Sequence, residues 1–497
     1  MLEGIGLPPS AHSLTLPGPV TLEYGGVLPS VTLGYNTYGR LAADGRNAVL
    51  VGHSLTSNSA VHEWWGELLG PGPGYMLDTD RFFVVCVNYL GSVYGSSGPL
   101  SPCPQRSVPY SGDFPVATLK DNVAVQRALL AALGVQHVAL AMGGSLGGML
   151  ALEYAATAPE EVGALCVVGS CGVHPDWAIG FGEAGRQAIQ ADPNWAGGYY
   201  GRVGTPPPLA GMGVARQLAM LSYRTPQSLS EKFGRGKVEG GRAAHRQAQH
   251  VAPFYQVESY LNYQGEKFKR RFDPLAYVRL TQLLDSHDLG RGREGGDFAA
   301  ALARLRQQAL VVGIDSDLLY PVSGRAGRGL RSGPHWRTHS THTHCHTTPT
   351  PPLQFELSAQ MASLIPNSEL HTISSPHGHD SFLIEIAALN KACVEWRDRA
   401  MPAAEESSEM ALLRHSKWGV TKGRGLRKLF EFRDARALDT FLLRLADLRG
   451  QREAGVAVTK AAPSHSVTIT LASLEAVAMA MAIDDCAAEL QLGGKWN

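Results

Sequence analysis

The chain has 497 residues, 44 of them Lys or Arg and 44 Asp or Glu, and 44% are hydrophobic. That length allows two or three domains with a large core, and the balanced charge gives no electrostatic motive for binding nucleic acid or an anionic membrane. The seven cysteines (Cys86, Cys103, Cys166, Cys171, Cys345, Cys393 and Cys486) are scattered, form no disulfide framework and point to a reducing compartment.

Residues 1–19 have neither a basic start nor a continuous apolar segment, so no secretory signal or transit peptide is expected there. No apolar run reaches the roughly 18 residues of a membrane span. A cytoplasmic protein is the expectation; an organellar one stays open if a transit peptide lies outside this sequence. Strand and helix signals alternate from about residue 45. Apolar runs at 47–51 and 82–87 read as strands, the latter burying Cys86 as a thiol. A helix over 118–133 stops at Gly134, and strands follow at 137–142 and 164–168, the last burying Cys166. Continuous apolar strands separated by helices predict a parallel sheet covered on both faces, an α/β class.

The rhythm breaks over 172–305, which reads as several helices inserted over the strand ends as a lid. It resumes with a strand at 309–314, a helix at 354–365, a strand at 369–373 and a helix from 380 to about 399. Residues 1–171 and 306–400 therefore form the two parts of one core. Residues 323–352, rich in Gly, Arg, His, Thr and Pro, have little to bury and predict a disordered insertion. That tract holds His335, His339, His342, His344, His346 and Cys345. Alternating histidines in a solvated segment have no fixed geometry, so no metal site is assigned. Residues 401–415 read as a linker, and 416–497 as a separate small α+β unit.

Chemistry concentrates at residues 143–147, Gly-Gly-Ser-Leu-Gly, between a strand and a helix-like run. A G-x-S-x-G turn in that setting lifts a serine hydroxyl out at the end of a parallel sheet, which makes Ser145 the candidate nucleophile. Such a serine needs a base and an orienting acid, in the chain order Ser, Asp or Glu, His. Asp317 follows the resumed strand, with Asp315 as its rival. His379 follows the last strand, with His377 as its rival. An oxyanion hole needs backbone N–H groups: one from Leu146, the other from the loop at 53–56, where Leu55 is preferred and Thr56 remains open.

Residues of about 15–395 resemble the homoserine O-acetyltransferase family, a branch of the α/β-hydrolase fold. The resemblance rests on Tyr35-Asn36-Thr37-Tyr38-Gly39, His53-Ser54-Leu55-Thr56 and Trp64-Trp65. It continues through the 77–88 run, Gly95-Ser96-Ser97-Gly98-Pro99, Asp113-Phe114-Pro115, Gly143-Gly144-Ser145-Leu146-Gly147-Gly148-Met149 and Gly378-His379-Asp380-Ser381-Phe382-Leu383. It implies ping-pong transfer of acetyl from acetyl-CoA through Ser145 to the hydroxyl of L-homoserine, in methionine biosynthesis. Acetyl-CoA is then a co-substrate, no cofactor is bound, and a homodimer through the lid is expected. The segment 215–224 matches the family's substrate-binding helix, so Arg216 would meet the acceptor carboxylate, Tyr223 would lie two turns along, and Asp380 would take the ammonium. Serine as acceptor, succinyl-CoA as donor and water as acceptor (an esterase) remain alternatives, while the presence of every triad candidate argues against a dead scaffold.

The chain departs from the family pattern in having Leu146 where Met is usual, in the 323–352 insertion and in the C-terminal unit. That unit weakly resembles pterin-4a-carbinolamine dehydratase through Trp418, the 425–432 run, Ala437, Phe441, 467–471 and 480–485. Ala461-Ala462-Pro463 stands where that family has His-His-Pro, which implies a degenerate module without dehydratase chemistry.

Overall fold

In a computed structural model, residues 10–106, 108–238, 255–321 and 357–402 are described in full, together with the backbone of 419–420, 426–431, 456–461 and 466–471. The chain divides into two units, Met1–Met401 and Pro402–Asn497.

The first unit is built on an eight-stranded sheet. Its strands are β1 (His12–Leu16), β2 (Val31–Tyr38), β3 (Ala48–Gly52), β4 (Phe83–Val87), β5 (Val138–Gly144), β6 (Val162–Val168), β7 (Gln308–Ile314) and β8 (Ser368–Ile373), in the order β1-β2-β4-β3-β5-β6-β7-β8. Pairing is parallel from β4 to β8 and antiparallel at β1–β2 and β2–β4. The apolar runs are continuous because both faces are covered. In β3, Ala48 and Leu50 join one buried cluster while Val49 and Val51 join the other; in β6, Leu165 and Val167 oppose Ala164, Cys166 and Val168. Cys86 and Cys166 are buried free thiols, as expected.

Sequence reading began the alternation near residue 45 and missed β1 and β2. Their Thr, Gly and Asn residues dilute the apolar signal, although Asn36 is buried and satisfied by the Ser59 hydroxyl at 2.7 Å.

Helix α1 (Leu119–Ala132) starts at a capping box formed by Thr118 and Asp121, and Gly134 just beyond its end takes φ 85°. Helix α2 (Leu146–Thr157) is buried at ten positions from Leu146 to Ala155, so it carries no polar face. Between β6 and β7 lie α3 (Asp176–Gln190), α4 (Leu209–Tyr223), α5 (Pro226–Phe233), α6 (Gln256–Lys269) and α7 (Pro274–Asp285). Thr225 and Asp273 cap α5 and α7 through their side chains. Helix α8 (Leu357–Leu364) precedes β8, and α9 (Ile386–Ala400) follows it.

The final helix does not begin at Asp380: residues Gly378–Leu383 form a 3-10 turn, and α9 starts only at Ile386. The tight turn is held by Trp65 Nε1, which donates to the Phe382 carbonyl at 2.9 Å, and the Phe382 ring packs so close on Gly144 that a Cβ there would stand 2.6 Å from it.

The second unit contains an antiparallel four-stranded sheet, β9 (Gly419–Val420), β10 (Leu426–Glu431), β11 (Val456–Ala461) and β12 (Ser466–Leu471), in the order β9-β10-β12-β11. Of the residues on which the pterin-dehydratase resemblance rests, Trp418, Ala437, Phe441 and 480–485 lie outside the described residues, as do Ala462-Pro463, the 323–352 tract and positions 403–415 of the expected linker.

Candidate active site

Strand β5 ends at Gly144, and Ser145 turns the chain into α2 with φ 56° and ψ −120°. A non-glycine residue there stores about 1–3 kcal/mol of strain, which the surroundings must hold in place. The Ser145 N–H donates to Val168 O at 2.9 Å, and the Ser170 hydroxyl donates to Ser145 O at 2.9 Å. The glycines of the elbow are needed for space: a Cβ on Gly143 would lie 2.6 Å from Gly52 O and 2.4 Å from the carbonyl carbon of Gly147.

Ser145 Oγ lies 3.0 Å from His379 Nε2, and His379 Nδ1 lies 2.7 Å from Asp317 Oδ2. The second Asp317 oxygen accepts from the N–H groups of Leu319 (2.8 Å) and Tyr320 (2.9 Å), which fixes the carboxylate toward the ring. The rings of Tyr320, Phe382 and Tyr223 enclose the imidazole with centroids at 5.0, 5.4 and 5.8 Å. Burial opposes a charge on His379, but the charge and hydrogen bond of Asp317, with the charge of Asp380, outweigh it and hold the pKa above the ordinary histidine value.

Both rivals are engaged elsewhere. Asp315 accepts from Ser374 Oγ at 2.6 Å and Ser375 N at 3.1 Å, tying the loops after β7 and β8 together. His377 Nδ1 pairs with Ser228 Oγ of α5 at 3.1 Å.

Leu146 directly follows Ser145 at the start of α2, and both it and Leu55 are buried. None of the backbone hydrogen bonds in the described turns and loops uses the N–H of either residue, or that of Thr56.

Arg216 projects from α4 with its guanidinium carbon 5.1 Å from the Phe268 ring centroid and 5.8 Å from that of Tyr223. Among the described residues no carboxylate lies within ion-pair distance of it. Asp380, expected to take the acceptor's ammonium, is paired with Arg224 at 3.2 Å. Burial raises the Asp380 pKa, while the charges of Arg224, His379 and Arg216 pull it back. Sequence reasoning did not single out Arg224, Tyr320 or Phe382, although Arg224 directly follows Tyr223 in the segment already quoted. Among the described residues no cluster of His, Cys, Asp or Glu is arranged to hold a metal ion, and no helix is long and apolar enough to cross a membrane; the His335–His346 tract lies outside them.

A strained serine at a strand-to-helix turn, joined to a histidine and an aspartate at the same sheet edge, defines an α/β-hydrolase-fold enzyme, and residues 47–324 match the family described as the alpha/beta hydrolase fold. The chain is 41% identical over 382 residues to a homoserine O-acetyltransferase of Trichormus variabilis, covering 77% of this chain and 92% of that protein. It belongs to the homoserine O-acetyltransferase family. The fold is shared with the crystal structure of homoserine O-acetyltransferase from Bacillus anthracis (TM-score 0.65, 23% identity, 79% of this chain and 98% of that one). It is also shared with that of esterase E22 (TM-score 0.62, 22% identity, 78% and 98%).

Proposed function

We propose that this enzyme transfers acetyl from acetyl-CoA to the side-chain hydroxyl of L-homoserine through an acetyl-Ser145 intermediate. His379 takes the Ser145 proton as Oγ attacks the thioester carbonyl, and Asp317 holds the ring and stabilises its charge. The oxyanion is received by the N–H groups of Leu55 and Leu146. The C–S bond breaks, the CoA sulfur leaves with the proton from His379, and an ester remains on Ser145. His379 then deprotonates the homoserine hydroxyl, which attacks the ester. The second oxyanion collapses, Ser145 regains its proton, and O-acetylhomoserine leaves. No bound cofactor takes part.

The observation that carries this reading is a Ser145–His379–Asp317 triad whose histidine packs against the Tyr223 ring, with the Arg216 guanidinium, which no described carboxylate neutralises, 5.8 Å from that same ring. An amino-acid acceptor supplies that carboxylate, and Arg grips it with a planar fork. Asp380 receives the ammonium, sharing its charge with Arg224, and Tyr223 walls the pocket. The lid helices exclude water from the acyl ester, which favours transfer over hydrolysis. The reaction suits methionine biosynthesis in the cytoplasm. Apolar side chains exposed on the lid, Val214 and Leu221 on α4 and Tyr263 on α6, support a homodimer through that surface.

A donor-by-acceptor matrix tests the reading: acetyl- and succinyl-CoA against homoserine, serine and water. Acetyl-CoA with homoserine should be the fastest pair. Thiol release indifferent to homoserine would make the enzyme an esterase, and preference for succinyl-CoA or serine would reassign donor or acceptor.

A further inference from the structure

The loop after β3 that carries Leu55 is pinned from two sides. On the core side, Tyr89 Oη donates to the His53 carbonyl at 2.8 Å, and buried His53 turns its Nδ1 back onto Ser54 O at 2.8 Å. The Ser54 and Ser57 hydroxyls pair at 2.7 Å. On the lid side stands Arg271, just past the end of α6. Its Nη1 donates to the Thr56 carbonyl at 3.0 Å and to Tyr94 Oη at 3.1 Å. Its guanidinium carbon lies 5.4 Å from the Phe268 ring centroid, and Arg216 approaches the same ring. No carboxylate among the described residues pairs with Arg271, and its hydrogen bonds go to the loop and to Tyr94.

An oxyanion donor works only when its N–H is aimed within hydrogen-bond distance of the oxygen, and a loop peptide free to rotate loses that aim. We propose that Arg271 is a positioning residue: a lid-borne clamp on the Thr56 carbonyl that aims the Leu55 N–H at the oxyanion, so that the oxyanion hole is complete only while the lid is seated. The inference rests on the acyl-serine reading. It extends that reading by giving the lid a part in both half-reactions, since each passes through a tetrahedral oxyanion. Arg216, by contrast, serves the acceptor half alone.

The test uses the full chain with Arg271→Met, Arg271→Lys and Tyr94→Phe, steady-state kinetics for both substrates, and inhibition by an alkylboronic acid, whose tetrahedral adduct on Ser145 fills the oxyanion hole. Loss of one oxyanion donor costs about a hundredfold to a thousandfold in kcat; a misaimed donor costs less, about tenfold to a hundredfold. Arg271→Met should lower kcat by that factor, leave both KM values within about twofold, and weaken the boronate by a factor comparable to the kcat loss. Arg271→Lys, which keeps one donor for the Thr56 carbonyl, should recover most of both. Tyr94→Phe should show the same pattern at smaller size, and it decides the matter if Arg271→Met does not fold. Unchanged boronate affinity in these variants, or an effect confined to the KM for homoserine, overturns the clamp. If the wild-type chain never forms an acyl ester on Ser145, the acyl-serine reading itself fails; normal acylation with indifferent Arg271 and Tyr94 variants overturns the clamp alone.

Discussion

Gly147 of α2 and Gly52 of β3 meet backbone to backbone: a Cβ on Gly147 would stand 1.9 Å from the Gly52 carbonyl oxygen. This contact sets how close the helix after the nucleophile approaches the sheet, and so where the hydroxyl emerges. Gly147→Ala must push α2 away from β3. Overpacking of this kind costs about 1–3 kcal/mol. The urea midpoint should fall accordingly, with kcat/KM falling further because the elbow moves with the helix. An unchanged midpoint would contradict the contact.

The strain at Ser145 gives a second prediction. At φ 56° and ψ −120°, glycine is at ease and alanine is not. Ser145→Gly should therefore be more stable than Ser145→Ala by about 1 kcal/mol, with acyl transfer lost in both. Equal thermal midpoints for the two variants would mean that the turn is unstrained.

Arg216→Ala removes the guanidinium proposed for the acceptor carboxylate. A charge-assisted hydrogen-bonded contact is worth about 1.5–3 kcal/mol, so the KM for homoserine should rise roughly tenfold to a hundredfold while that for acetyl-CoA moves within about twofold. Equal effects on both would remove the assignment.

The acid limb of kcat/KM for acetyl-CoA reports His379. The imidazole accepts the Ser145 proton only when neutral, and its pKa lies above the ordinary value because Asp317 and Asp380 outweigh burial. Activity should therefore fall as pH drops through a midpoint above about 6.5. Asp317→Asn removes the larger of the two stabilising charges, leaves burial in control, and should move that midpoint down while lowering the plateau. A midpoint that stays in place would separate Asp317 from His379 functionally.

The sheet strands β3 to β7 and the helix after the nucleophile were legible because both faces of the sheet are buried, so nearly every strand position is apolar, Gln308 at the start of β7 excepted. Strands β1 and β2 were not: β1 is an exposed edge, and β2, though paired on both sides, carries Thr, Gly and a buried Asn36 whose polar group is satisfied by Ser59. Ser145, Asp317 and His379 could be chosen by chain order and by their places after strands. Asp315 and His377 could not be set aside that way. Only the folded loops show Asp315 spent on Ser374 and Ser375, and His377 spent on Ser228. The start of the final helix was misplaced because nothing in the local sequence shows that Trp65 reaches the Phe382 carbonyl from 317 residues away. Arg271 was invisible for the same reason, its partner Thr56 lying 215 residues earlier. Arg224 was passed over because pairing with Asp380 depends on the lid folding back over the last loop.

The most direct test is the covalent state of Ser145. The enzyme is mixed with acetyl-CoA, quenched on the millisecond scale, digested and analysed by mass spectrometry. The account predicts one acetyl group on the peptide holding Ser145, discharged much faster when homoserine is added than in buffer alone. Turnover to O-acetylhomoserine with that peptide never acetylated, at any quench time, would contradict it.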